Sequence, residues 1–135
     1  MHIELRKVGQ VIIVDLDGRL VSGVGDVVLG EAMNRIVADG WKYILLNMSQ
    51  VKRIDSAGIG ELMDSVHLAE RFECKVHLLN IVGQVHRVLE ISQLLPLLKT
   101  FGDEQEALET FGPGALKERK GGESDDTPTA EIERD

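Results

Sequence analysis

Apolar runs that alternate between two periods constrain this chain more than any other feature. Val11 to Leu16 is an apolar run of the kind buried on both faces of a sheet, and Tyr43 to Met48 and Val76 to Val82 are further strand-like runs. The stretches between them follow the helical period instead. Leu29, Ala32, Met33, Ile36 and Val37 share one face of a helix predicted from Asp26 to Asp39, with Gly40 at its stop. Ile59, Leu62, Met63, Val66, Ala69 and Phe72 form the stripe of a second helix. Gly83 to Gln93 gives a third, burying Val85, Val88 and Leu89, and Leu94-Leu95-Pro96 breaks it. Leu97 to Phe101 reads as a short last strand, and Asp103 to Phe111 as a final helix capped by Asp103. Strands that alternate with helices imply an α/β domain built on a small, mostly parallel sheet with about four helices packed on it. Residues 3 to 8 alternate weakly before a Gly9-Gln10 turn and add an antiparallel edge.

The periodic pattern stops at Phe111. From Gly112 to Asp135 the chain carries seven acidic and four basic residues, and Ala115, Leu116, Ala130 and Ile132 are its only apolar side chains. Too little apolar surface is available there to offset ordering, so residues 1–111 are read as one domain and 112–135 as a disordered acidic tail. A length of 135 residues suits one core without metal or disulfide, and the single Cys74 excludes an internal disulfide and fits a reducing compartment. The formal net charge of −8 argues against nucleic-acid binding, which needs basic stripes. No run approaches the roughly 20 apolar residues of a membrane span, and no signal-peptide pattern opens the chain. A cytoplasmic protein with no membrane insertion is expected, and nothing in the sequence demands more than a monomer.

Between the Tyr43–Met48 run and the second helix lies Val51-Lys-Arg-Ile-Asp55-Ser56-Ala57-Gly58-Ile59-Gly60-Glu61-Leu62. Asp55 and Ser56 are both good helix N-caps, because a side-chain oxygen accepts from amides of the first turn. The same amides favour added negative charge, so Ser56 is both a candidate cap and a candidate phosphate acceptor. Gly58 and Gly60 each cost about 1 kcal/mol in a helix relative to Ala. They are expected to keep the helix start free for another backbone or a protein surface. A second loop, Ser22-Gly23-Val24-Gly25, follows Asp17-Gly18, where the Val11–Leu16 strand is predicted to end.

Enzyme patterns are weak. Ile54-Asp55-Ser56-Ala57-Gly58 lacks the first glycine of a nucleophile elbow, and nothing marks His67, His77 or His86 as a base for Ser56. Gly23, Gly25 and Gly30 have neither dinucleotide nor P-loop spacing. The His67-x6-Cys74-x2-His77 spacing matches no common zinc site. No catalytic residue, metal or cofactor is assigned, and the chain is read as a binding protein and not an enzyme.

The order of elements, with the stretch from Tyr43 to Leu62, resembles the STAS domain family, which includes the bacterial anti-sigma factor antagonists. The resemblance covers roughly residues 3 to 111. Its most specific part is Asp55-Ser56-Ala57-Gly58-Ile59-Gly60, which looks like that family's D-S-[ASTG]-G-[LIV]-G phosphorylation loop. Asp17-Gly18-Arg19-Leu20, Leu79-Asn80-Ile81, Val88-Leu89 and Glu104-x-Glu106-Ala107-Leu108 also match. Asn47 stands where the family often has Asp, and Val21 where an acidic residue often follows the Gly-x-Leu motif.

The resemblance implies a mechanism. The unphosphorylated antagonist binds an anti-sigma factor that is also a serine kinase, which releases a sigma factor or an analogous output protein and so regulates transcription by partner switching. The kinase then phosphorylates the loop serine, which ends the complex, and a PP2C-type phosphatase resets the switch. Carried onto this chain, Ser56 is the phosphorylation site. Asp55, Ser56, Ala57, Gly58, Ile59 and Gly60, with Ser22 and Gly23, form the partner-binding surface. Two other readings stay open at this point. One is a STAS subunit of a transport or stress-sensing assembly in which Ser56 is never phosphorylated. The other is a small-ligand or nucleotide-binding module using the Ser22–Gly25 and Ser56 loops.

Overall fold

A computed structural model describes residues 1–117 and the backbone of Glu131–Glu133. The chain opens with a hairpin. Strand β1, His2–Val8, and strand β2, Val11–Leu20, run antiparallel, with Val8 opposite Val11 and His2 opposite Asp17. Helix α1, Gly25–Ala38, leads to β3, Tyr43–Ile54, and helix α2, Ser56–Arg71, leads to β4, Lys75–Leu79. Helix α3, Gly83–Ile91, is followed by the two-residue β5, Thr100–Phe101, and by α4, Glu104–Glu109. A short β6, Glu131–Glu133, pairs antiparallel with β1. The sheet order is β5-β4-β3-β2-β1-β6, and β2 through β5 are parallel. This is the α/β architecture expected: a mostly parallel sheet with an antiparallel edge and four helices.

Both faces of the sheet are covered, which is why β2, β3 and β4 read as apolar runs. Successive strand residues point to opposite faces. Ile12, Val14, Ile44, Leu46 and Leu78 pack under α1, α2 and α3 in the larger core. Val11, Ile13, Leu45 and Leu79 face α4, Phe111 and Ala115 in a smaller one. His77 is buried on that second face. Its ring stacks on Phe111 at 3.8 Å between centroids, and its Nδ1 donates to the Ala107 carbonyl at 2.9 Å. Burial holds its pKa below the ordinary histidine value, which favours the neutral ring.

Several boundaries differ from expectation, each for an identifiable reason. Strand β2 continues past Asp17-Gly18 to Leu20, and β3 past Met48 to Ile54. The two strands pair with each other there through register shifts between Asp15 and Asp17 and between Gly18 and Arg19. Such irregular, half-polar segments carry no continuous apolar run. Strand β4 stops at Leu79, and Asn80 adopts a φ of 57°, so Ile81 and Val82 leave the sheet. Leu95–Leu97 form a 3-10 turn around Pro96, which leaves only Thr100–Phe101 as strand.

The packed chain also runs past Phe111. Ala115 is fully buried in the second core, and its carbonyl accepts from the Gln10 amide at 2.7 Å. The order of the chain from 112 to 115 therefore follows from one small apolar residue and a few backbone hydrogen bonds, Gly112 to the Glu109 carbonyl and Ala115 to the Gly112 carbonyl among them, not from a periodic stripe. Of the stretch read as a disordered tail, residues 118–130, 134 and 135 lie outside the described residues.

Candidate functional site

The candidate site grows from the overhang where β2 and β3 outrun their neighbours. Pairing of β1 ends at Asp17, and pairing of β4 ends at Asn47. Beyond those points only β2 and β3 remain, and they finish side by side with Leu20 opposite Ile54. Both end residues are buried in the larger core. The chain leaves the sheet at this point through the Ser22 loop on one strand and through Asp55-Ser56 on the other.

Asp55 is extended, and its Oδ1 accepts from the Gly58 amide at 2.9 Å. It is therefore the N-cap of α2, and Ser56 is the first helical residue, not the cap. The other carboxylate oxygen, Oδ2, accepts from the Ser22 amide at 3.0 Å. One side chain thus fixes the helix start and ties the Ser22-Gly23 loop to it. The Ser22 amide, then the Gly58 amide, hold the Asp55 carboxyl below its ordinary pKa. Ser56 is exposed beside the positive end of α2, and its hydroxyl has no hydrogen bond to the described residues.

The two glycines divide the role expected of them. A Cβ on Gly58 would overlap the Leu20 carbonyl oxygen, so this glycine admits the chain's own β2 to the helix start. Gly25, at the start of α1, meets the Arg19 carbonyl in the same way. Two helices therefore begin against the last residues of one strand. Gly60 is exposed, a Cβ there would meet nothing within 4 Å, and of the two only this glycine leaves open surface. Ala57 and Ile59 are half-buried, and Ile59 packs against the larger core.

Gln84 completes the junction and was not singled out by sequence. Its Oε1 accepts from the Ile54 amide at 3.0 Å, and its Nε2 donates to the Ile54 carbonyl at 3.1 Å. The side chain replaces the strand partner that β4 no longer supplies. No spacing signals such a role, because any polar residue is acceptable near a helix start. Glu61 locks α2 against α1. Its carboxylate lies over Gly30, accepts from Ser65 Oγ at 3.1 Å, and has a pKa raised chiefly by burial.

The rim suits a protein surface. Val27, in the first turn of α1, and Val82, just before α3, are 42% and 49% exposed, and Arg19, Lys52 and Arg53 are exposed on the overhang of β2 and β3. The side chains weighed for metal or catalysis go elsewhere. His67 is exposed on α2, and Cys74 Sγ lies 3.1 Å from the Trp41 carbonyl on the face opposite His77. Among the described residues no three His, Cys, Asp or Glu side chains gather as metal ligands.

The STAS domain profile matches residues 2–107, from β1 into α4. This chain belongs to the STAS domain family. It is 25% identical over 108 residues to a Paenibacillus polymyxa protein named anti-sigma F factor antagonist, covering 80% of this chain and 92% of the relative. The fold is similar to a crystal structure of an anti-sigma factor antagonist from Mycobacterium paratuberculosis, with a TM-score of 0.71 and 17% identity over 82% of this chain and 93% of that one. It is also similar to the phosphorylated form of the Bacillus cell-fate determinant SpoIIAA, with a TM-score of 0.62 and 20% identity over 82% and 99% of the two chains. Within this STAS domain Asn47 departs from the Asp expected of many members. Its Nδ2 donates to Asp15 Oδ1 at 2.8 Å, and Arg6 Nε binds Asp15 Oδ2 at 2.6 Å. Arg6 also bridges to Glu104 of α4. A neutral donor at position 47 serves a carboxylate that already has its cation.

Proposed function

We propose that this STAS domain is an anti-sigma factor antagonist whose partner binding is switched by phosphorylation of Ser56. The observation that carries the reading is the division of labour at the start of α2. Asp55 caps the helix and holds the Ser22 loop, which leaves the Ser56 hydroxyl exposed and unengaged among the described residues. A phosphoryl group can be added there without breaking a structural hydrogen bond. It brings about −1.5 to −2 charge at pH 7 and sits at a helix N-terminus that tolerates it. The cost falls on the partner. A loss of about 3–4 kcal/mol at an interface weakens binding by a factor of roughly 100 to 1,000.

The proposed partner-binding surface is Ser22 and Gly23 with Asp55, Ser56, Ala57, Ile59 and Gly60; Gly58, expected to belong to it, is buried against Leu20 and supports it from beneath. The proposed partner is an anti-sigma factor with serine kinase activity, and a PP2C-type phosphatase is the resetting enzyme. The antagonist itself acts in the cytoplasm as a binding protein and not as an enzyme. The relative named anti-sigma F factor antagonist and the phosphorylated SpoIIAA fold support this reading.

Phosphosite mapping tests it. The purified chain is incubated with ATP and lysate of the cells that make it, then digested and analysed by mass spectrometry. Phosphate on Ser56, absent when Ser56→Ala is used, is the expected result. An unmodified Ser56 peptide under conditions that phosphorylate other substrates would contradict it.

A further inference from the structure

The overhang that delivers Ser22 and Asp55-Ser56 carries one feature the switch does not explain. Arg19 and Arg53 are register partners on β2 and β3. Leu20 and Ile54, the next residues, turn into the larger core, which directs the two arginines to the opposite side of the sheet. Both are exposed, and neither side chain has an ion pair or hydrogen bond with the described residues. Like charges directly opposite on neighbouring strands are destabilising. The chain carries a net charge of −8, with 23 acidic residues available, yet none of the described ones is placed to neutralise this pair. A stability argument gives no reason for it.

Position supplies one. Each arginine stands three residues before a loop serine, Arg19 before Ser22 and Arg53 before Ser56. Neither β1 nor β4 flanks the strands at this level, so the face is open at the same end of the sheet as both loops. A partner seated end-on over Ser22 and Ser56 meets two unneutralised guanidinium groups. Guanidinium forks select carboxylates.

We infer that Arg19 and Arg53 form the electrostatic half of the partner interface, and that the partner presents an acidic surface to them. This inference rests on the reading of the chain as a phospho-switched antagonist and adds the chemistry of the surface it binds. It also accounts for the sign of the switch. The same acidic surface that the arginines attract is the one a Ser56 phosphate repels.

The test uses the full chain as bait with Arg19→Glu, the double change Arg19→Gln and Arg53→Gln, and wild type. Capture of an ATP-binding serine kinase, identified by mass spectrometry, is measured across a salt series, and each bait is melted separately. Arg19→Glu pairs a carboxylate with Arg53, so its melting temperature is expected to rise or hold. Its capture of the kinase is expected to fall about tenfold or more at low salt. The double glutamine bait is expected to fall less and to lose most of the salt dependence seen for wild type. Opposite movement of stability and capture is the signature of charges kept for binding.

Capture by Arg19→Glu equal to wild type overturns the inference and leaves the antagonist reading intact. A loss of capture that only tracks a lowered melting temperature also overturns it. Failure of wild type itself to capture a kinase overturns the antagonist reading, and this inference with it.

Discussion

The Asp55 carboxylate accepts from the Ser22 amide at 3.0 Å, joining residues 33 apart in sequence. Its second oxygen accepts from the Gly58 amide. The Ser22 loop and the start of α2, both proposed to meet the partner, are therefore one unit, and the neighbour of Ser56 is what makes them so.

Removing that carboxylate is expected to cost more than removing the neighbouring hydroxyl. Asp55→Ala loses the cap of α2 and the tie to Ser22 together. Ser56→Ala loses neither, and its urea midpoint is expected to stay close to wild type. Asp55→Ala should lower the midpoint several times more than Ser56→Ala does. Equal midpoints for the two variants would mean that the cap is not at Asp55.

The two glycines of the loop are expected to respond with opposite signs. Gly58→Ala forces a methyl group onto the Leu20 carbonyl and should destabilise by about 1–3 kcal/mol. Gly60→Ala meets no atom and replaces a poor helix former, so it should stabilise by about 0.5–1 kcal/mol. Chemical denaturation of the two variants checks both signs.

Stability should fall with pH in two separate windows. The folded-state pKa of His77 is depressed by burial, so the unfolded chain takes up the proton more readily. Its contribution is fully present above the unfolded value of about 6.5 and is lost as pH falls through the folded value. The Asp55 carboxyl is also held low, by the Ser22 and Gly58 amides, so its contribution is lost only as pH falls below about 4. His77→Phe should flatten the upper window and leave the lower one. Melting temperatures measured across the pH range check this, and an unchanged upper slope in His77→Phe would contradict it.

Asn47→Asp restores the residue many family members carry but sets a carboxylate opposite Asp15. The two positions are register partners, and Asn47 now donates to Asp15. Like charges in that relation cost up to about 1 kcal/mol. Denaturation at neutral pH should detect the loss.

Much of the fold was legible because burial on two faces leaves a simple trace. The runs at Val11–Leu16 and Tyr43–Met48 had to be strands in the middle of a sheet, and the Leu29–Val37 stripe had to be a helix. The overhang was not legible, because residues 49–54 alternate through a register shift and read as loop. The same blind spot hid Gln84, whose contact is with backbone and so leaves no side-chain pattern. For the site, Asp55 and Ser56 were visible as a cap-and-acceptor pair, but spacing could not decide which of them capped. Distance in sequence concealed the Ser22–Asp55 bond, and a single backbone carbonyl at Leu20 explains why Gly58 and Gly60 are not equivalent.

The most direct test of the partner switch is a paired capture experiment, with wild type and Ser56→Asp as baits in lysate of the cells that make the protein. The account predicts a serine kinase with an ATP-binding fold held by wild type and lost, or weakened by about 100-fold, on the aspartate bait. The same kinase held equally by both baits would contradict it, because a negative charge at Ser56 would then have no effect on the complex.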